Sequence, residues 1–406
     1  MAQISWGKVG TTVKEKLLTH FLPLGLLLAL LIGLTWPFPG KELNQLKSGD
    51  YKIISTINVV LIFFLQGLSL RTDEVKQAIR AWKAMSWGIF SIIAVTALTG
   101  FVLFELPVTP IEFRIGLAVF CVVPTTLTSG VTLVNQAKGN GALALMLTVV
   151  TNLLGIVTSP WWLKAIIRGS NSSVDAVDLL LKLLLTILLP VTVGKALREL
   201  IKPIQAFVKK HKRAISLTTN GLLIMIVWMS ISGSASTIKS VAFGKIALII
   251  AIEVIVHGYY LAMNFGACKV LRLNKQELRC VLLLASQKTL PVAITVISYL
   301  GDAGDTGLMA LPCIVGHLSQ LLIDSGIVTW WLIQDKKAGA AEDEEEELPM
   351  TPKEGTSQME KGDIEMSQGS KTQSQSNGMY SDDANGKQTT VDDLEHRTQT
   401  EHLHQT

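Results

Sequence analysis

Lys288 stands where a lysine is costly to keep. It lies inside an apolar stretch, 280–299, with about ten residues on either side within that stretch. A charged side chain in hydrocarbon costs several kcal/mol unless it is paired or wet, so such a lysine marks a functional site. A fixed cation there can hold an organic anion, take the place of a transported cation, or bind and release a proton. Its neighbours are Ser286-Gln287-Lys288-Thr289-Leu290-Pro291. A second interruption, Val123-Pro124-Thr125-Thr126-Leu127-Thr128-Ser129-Gly130, falls inside another apolar stretch, 113–135. Proline removes a helical N–H and clashes with the preceding turn. Hydroxyls can satisfy the freed backbone, and unwound chain at membrane depth survives only inside protein or beside a wet cavity. Paired breaks of this kind point to the binding site of a transporter.

Other polar residues interrupt apolar stretches. Glu253 and His257 are four apart and share a helix face, which reads as a pair or as a proton relay; the pair is the preferred reading. His317, Gln320 and Asp324 form one helical stripe that must face protein rather than lipid. Thr148, Thr151 and Asn152 form a weaker one. Cys121, Cys268, Cys280 and Cys313 show no metal or disulfide spacing and read as small buried residues. The sequence has no Walker A loop, HExxH, GxSxG, arginine ladder or potassium-filter motif, so neither an enzyme nor a channel is expected, and no cofactor.

The elements that position these residues follow from hydropathy. The chain is 49% hydrophobic and 17% charged, and the charge is unevenly spread. Residues 1–337 hold 31 Lys and Arg against 16 Asp and Glu; residues 338–406 hold 5 against 16. Ten apolar segments lie at roughly 17–36, 53–70, 84–104, 113–135, 142–163, 177–197, 215–233, 243–268, 280–299 and 307–333. Each suffices for a helix to cross about 30 Å of hydrocarbon. Solid apolar runs exclude a barrel, and this many exclude a soluble globule. The first run is too long for a signal peptide and is read as a span. The basic excess marks cytoplasmic loops, not nucleic-acid binding. With both termini cytoplasmic, the inside segments hold 21 Lys and Arg and the outside segments nine. The loop Lys195–Arg213 weighs most. Trp36, Trp161–Trp162 and Trp330–Trp331 fall at expected interfaces. Asn171-Ser172-Ser173 is a glycosylation sequon in a short outside loop.

The second half echoes the first. Glu112-Phe113-Arg114 and Glu277-Leu278-Arg279 open the fourth and ninth segments. Ile156-Val157-Thr158 with Trp161-Trp162, and Ile327-Val328-Thr329-Trp330-Trp331, close the fifth and tenth. Two units of five spans, about 17–167 and 177–333, enter the membrane from opposite sides. The expected organisation is a cytoplasmic N-terminus at 1–16, a ten-helix transporter domain at 17–335 and a disordered acidic cytoplasmic tail at 338–406. The acidic run Glu342–Glu347 can solvate, meet basic loops or hold divalent cations loosely, and the tail can dock a regulatory protein.

Over residues 15–335 the chain resembles the bile acid:sodium symporter superfamily, solute carrier family ten. It looks most like the divergent branch around that family's seventh member. The likeness rests on Phe63-Phe64-Leu65-Gln66-Gly67-Leu68-Ser69-Leu70, on the stretch Pro124–Asn140, on Ser286-Gln287-Lys288-Thr289-Leu290 and on His317-Leu318-Ser319-Gln320. The resemblance implies an all-α membrane protein of ten transmembrane helices in two inverted five-helix repeats, with unwound, crossing fourth and ninth helices. It implies substrate or ion contacts at Pro124, Thr128, Ser129, Thr148, Gln287, Lys288, Thr289, His317 and Gln320. Ser129, Thr148 and Gln287 match sodium-ligand positions. Gly130, Ala144, Leu283 and Lys288 depart from the sodium-binding pattern, and Leu283 stands where a carboxylate is expected. The implied function is secondary transport of an unidentified small organic anion, with sodium or protons as candidate partners and coupling of the classical sodium kind not expected. The competing expectation is a membrane regulator that restrains calcium influx. Either belongs in the plasma membrane or an endomembrane.

Overall fold

The computed structural model describes residues 21–49, 51–70, 79–126, 128–168 and 174–347, excluding the side chains of Ile79, Thr128 and 339–347. The N-terminal segment 1–16, the sequon and the tail beyond Glu347 lie outside the described residues.

The described chain is almost wholly helical, apart from a two-residue hairpin pairing Lys47–Ser48 with Tyr51–Lys52. Each of the ten apolar segments overlaps helix. In order these are α1 (Phe21–Thr35) with α2 (Phe38–Gln45), α3 (Ile53–Ser69), α4 (Trp82–Glu105), α5 (Ile111–Val122) and α6 (Thr128–Gln136), α7 (Gly141–Ile166) and α8 (Ala176–Leu200). After the amphipathic α9 (Lys202–Lys210) come α10 (Lys212–Gly233), the short α11 (Ala235–Ser240), α12 (Phe243–Val270), α13 (Lys275–Ser286) and α14 (Leu290–Ser298), and α15 (Thr306–Glu347). Among the described residues seven helices are long and apolar enough to cross a membrane, counting α13 and α14 as one. The pair α1 and α2, bent by 95°, makes an eighth if taken as one span. α3 is shorter, and the fourth apolar segment is divided between α5 and α6. The last helix continues to Glu347, ten residues beyond the expected start of the tail.

Lipid supplies no hydrophobic drive between helices, so close contact depends on small residues. α3 and α8 meet at Gly67 and Gly194. A Cβ on Gly67 would collide with the carbonyl of Val191, and one on Gly194 with that of Phe64. α5 is deeply sunk, with Phe113 to Val122 buried apart from Arg114. It packs against α4, α7 and α15. α13 is equally enclosed. The helices that lead into the two breaks are thus largely enclosed by protein, which is where freed backbone can be satisfied.

Candidate functional site

The two breaks meet in the interior. Between α5 and α6 four consecutive carbonyls leave the helical ladder, and each has a specific donor. Ser159 Oγ donates to Val122 O (3.0 Å), Lys288 Nζ to Val123 O (2.8 Å), the Thr289 N–H to Pro124 O (2.9 Å) and Asn152 Nδ2 to Thr125 O (3.1 Å). In return Thr125 Oγ1 donates to Leu284 O (2.6 Å) on α13. Buried carbonyls must be paired, and here each break supplies part of the other's pairing.

Lys288 is 1% exposed. Its Nζ reaches Thr96 Oγ1 at 2.6 Å and Ile92 O at 3.2 Å in addition to Val123 O. The Ile92 carbonyl is available because α4 contains a wide π-turn at Ser91–Val95, where the Thr96 N–H bonds to Ser91 O instead. All three ammonium donors therefore end on neutral protein oxygens. The peptide of Lys288 is clamped as well: its N–H donates to Gln320 Oε1 (2.9 Å), and Gln320 Nε2 donates to its carbonyl (2.7 Å).

Gln320 also orients His317. With its oxygen taken by the Lys288 N–H, its amide nitrogen faces His317 Nδ1 at 2.8 Å. His317 Nδ1 also lies 3.2 Å from Lys288 O, a carbonyl that only accepts, so Nδ1 faces a donor and an acceptor at once. His317 Nε2 is buried and has no partner among the described residues. Gln66 Oε1 is in the same position. Both residues line a cavity of about 1390 Å³. Thr126, Ser129, Thr289 and Pro291, at the starts of α6 and α14, lie in its wall, and Lys210, Lys212 and Arg213 belong to the same lining. No Asp or Glu is among the described lining residues.

Of the residues singled out from sequence, Pro124, Gln287, Lys288, Thr289, His317 and Gln320 are brought together and buried. Ser129 joins them at the cavity, its hydroxyl 2.5 Å from that of Thr126. Thr128 opens α6, and its side chain lies outside the described residues. Thr148 is buried but donates to Ala144 O within its own helix (2.7 Å). Lys288 does not line the large cavity. Leu283 and Ala144 are packed in one apolar cluster with Leu143, Leu147 and Leu284. Gln287 Nε2 donates to Asp324 Oδ2 (2.5 Å). The preferred pairing of Glu253 with His257 needs correction: His257 Nε2 lies 2.9 Å from Asp324 Oδ1, and its Nδ1 lies 3.2 Å from Ser286 O. Both α12 residues face inward, and the bond crosses to α15. Sequence reasoning missed Ile92, Thr96 and Gln66 as members of the site. The polar Ser91 and Thr96 inside an apolar segment were the available signal for the first two, and the quoted Phe63–Leu70 stretch contained the third.

Residues 20–332 match the model of the SBF-like CPA transporter family. The chain belongs to that family. It is 38% identical over 331 residues to the Oryza sativa subsp. japonica protein named "Probable sodium/metabolite cotransporter BASS4, chloroplastic", covering 79% of this chain and 77% of the other. The Arabidopsis thaliana protein of the same name is 36% identical, over 78% of this chain and 73% of that one. "Sodium/bile acid cotransporter 7" of Rattus norvegicus is 25% identical, over 70% and 85% respectively. The family thus places the chain in the bile acid:sodium symporter superfamily, as the motifs around Lys288 and His317 imply. It is a multi-pass helical membrane protein of a transporter family.

Proposed function

We propose that the protein is a secondary active transporter that carries a small organic anion through the large cavity. The carrying observation is the chemistry of that cavity: Lys210, Lys212 and Arg213 in its lining, no carboxylate among the described lining residues, and the unpartnered His317 Nε2 beside the starts of α6 and α14. Helix N-termini carry partial positive charge, so two of them beside basic side chains favour a carboxylate, sulfonate or phosphate. α14 has no side-chain cap at its start, and Pro291 in its first turn carries no N–H.

Coupling to sodium of the family's usual kind is not part of this reading. Sodium needs hard oxygens. Here Leu283 and Ala144 fill the region with hydrocarbon, Thr148 bonds within its own helix, and Lys288 brings its own cation to the break. Two unit charges about 4 Å apart at an effective dielectric of about 20 repel by roughly 4 kcal/mol. That weakens an ion's binding by about three orders of magnitude.

The same reading takes the ten helical segments as ten spans in two inverted units, about 17–167 and 177–333, crossing at the two breaks. Both termini face the cytoplasm, with residues 1–16 and the acidic 338–406 outside the ten-span body. The cavity then opens toward the cytoplasm, since its basic residues belong to the Lys195–Arg213 region.

The test is uptake by the purified full-length protein in proteoliposomes, using labelled succinate, pyruvate, inorganic phosphate and taurocholate. Saturable uptake of at least one anion is expected, unchanged when sodium is replaced by choline, and lost in His317→Phe. Saturable stimulation of the wild type by sodium would overturn the coupling reading. Uptake by His317→Phe equal to wild type would overturn the site.

A further inference from the structure

Two helices of the large cavity carry its face beyond the point where the lining stops. On α3 the lining residues are Gln66, Ser69 and Leu70. Steps of three or four residues back from Ser69 reach Gln66, Ile62, Asn58 and Ser55, which share one helix face. Asn58 and Ser55 are 5% and 4% exposed, whereas the opposite face, Ile53, Ile57 and Leu61, is open and wholly apolar. At about 1.5 Å per residue, Ser55 to Ser69 rises about 21 Å, most of a hydrocarbon core of about 30 Å.

α10 repeats the pattern. It lines the cavity with Ser216, Thr219, Asn220 and Leu223, and the same spacing leads on through Val227 and Ser230 to Ser234, just past the helix end. Val227, Ser230 and Ser234 are buried. α3 and α10 pack on each other, and both touch α14, whose first turn is in the cavity wall. Each face thus runs polar at the cavity, apolar at Ile62 or at Leu223 and Val227, and polar again beyond.

Polar side chains buried on a span face protein and mark substrate pathways. Asn58 is the sharpest of them. Its Nδ2 is buried and has no partner among the described residues, as is true of Gln66 Oε1 about two turns away on the same face. A buried donor left unpaired is destabilising, so such a group needs a partner in another state to account for it.

Past Ser55 and Ser230 the two faces are tied to one point, the start of α15. Lys52, one turn before Ser55, donates from Nζ to Thr306 Oγ1 at 2.9 Å. Ser234 Oγ donates to Asp305 Oδ1, the oxygen that also accepts the N–H groups of Gly307 and Leu308 and so caps α15. Glycine at 307 permits this approach: a Cβ there would collide with Ser234 Oγ. Two side-chain hydrogen bonds therefore join the far ends of α3 and α10 to α15.

We propose that the buried faces of α3 and α10 are the far half of the substrate's route, shut in this structure by the Lys52–Thr306 and Ser234–Asp305 contacts, and that Asn58 Nδ2 binds an oxygen of the anion when those contacts part. This rests on the transporter reading. The chemistry of the faces suits that cargo. Asn58, Ser55 and Ser230 offer hydrogen bonds to a carboxylate, sulfonate or phosphate, Lys52 stands at the far mouth, and neither face carries a carboxylate between the cavity and Asp305. Ile62 and Val227 make the apolar step that keeps water out while the route is shut.

The test labels cysteines in the full-length protein, in membrane vesicles of known sidedness, with a sulfonated, membrane-impermeant methanethiosulfonate added on the face opposite Gln205. The four native cysteines are buried, which keeps the background low. Asn58→Cys is expected to react, and to react about tenfold faster when Ser234→Ala is added, because one hydrogen bond of the closed state is then gone while the α15 cap stays. Ile57→Cys, on the open apolar face, is expected to stay inert in both backgrounds, since lipid excludes the reagent. Asn58→Cys as inert as Ile57→Cys in both backgrounds overturns the route. Equal rates with and without Ser234→Ala overturn the closing contact. The anion taken up fastest of the four named above is expected to slow labelling of Asn58→Cys, and Asn58→Leu is expected to raise its KM about tenfold. Labelling that the anion does not slow overturns contact at Asn58 and leaves the transporter reading standing, and an unchanged KM does the same. Wild-type vesicles that take up none of the four anions, while Asn58→Cys labels as expected, keep the route and overturn the anion reading.

Discussion

Replacing Lys288 with methionine separates what the side chain does for stability from what it does for transport. Methionine keeps an unbranched stem of similar reach and removes the donors. Of the three acceptors, Ile92 O keeps the Thr96 hydroxyl, which already donates to it at 2.7 Å, so those two groups satisfy each other. Only Val123 O is stranded. An orphaned buried carbonyl costs about 1–3 kcal/mol. Against that stands the cost of holding an ammonium in the interior with no carboxylate among its bonded partners, an effective penalty of several kcal/mol. The two terms nearly cancel or favour methionine. Lys288→Met is therefore expected to melt within a few degrees of wild type, or above it, when detergent-purified protein is heated and tryptophan fluorescence is followed. Its uptake in proteoliposomes should be abolished, because the strut between α4 and the two breaks is gone. Lys288→Arg should be worse for stability: a longer planar group has no room in a site 1% exposed, and overpacking costs about 1–3 kcal/mol. A methionine variant that melts far below wild type would refute the accounting. One that transports normally would refute the role assigned to the lysine.

Other perturbations test the rest of the arrangement. A cysteine at Ser172 should label from outside in intact cells and one at Gln205 should not; all four native cysteines are buried, so background labelling should be low. The reverse pattern would overturn the orientation and the cytoplasmic cavity. Deleting residues 348–406, rich in acids and polar residues, should leave the melting temperature unchanged. A clear drop would show that the segment docks. Gly67→Val should sharply lower detergent stability, because its side chain enters the backbone of α8 at Val191. Near-native melting would mean that α3 and α8 are not tightly packed in solution. Lys288→Asn combined with Leu283→Glu should create sodium-stimulated uptake or sodium-dependent thermal stabilisation where wild type shows neither. Sodium stabilisation of wild type of the same size would count against the filled-site argument.

The helices were legible because their signal is local: an apolar run of span length needs no knowledge of its partners. Partners across the bundle leave no such trace. Glu253 and His257 are correctly read as sharing a face, but a shared face does not make a bond. On α12 that face looks toward α13 and α15, and His257 bonds a carboxylate 67 residues away. The stripe His317, Gln320 and Asp324 was rightly expected to face protein. Its division of labour was not readable, since it depends on Gln320 turning its oxygen to the Lys288 peptide and its amide to His317. Lys288 was conspicuous by cost alone, and cost says that a group is used without saying for what. Its oxygens come from Ile92, Thr96 and Val123, two segments distant in sequence, and one is exposed by a π-turn with no compositional mark. The same limit explains Leu283. A missing carboxylate can be seen in the sequence, but only the structure shows the leucine packed in one apolar cluster with Ala144. Hydrocarbon thus lies on one side of the break and a tethered ammonium within it.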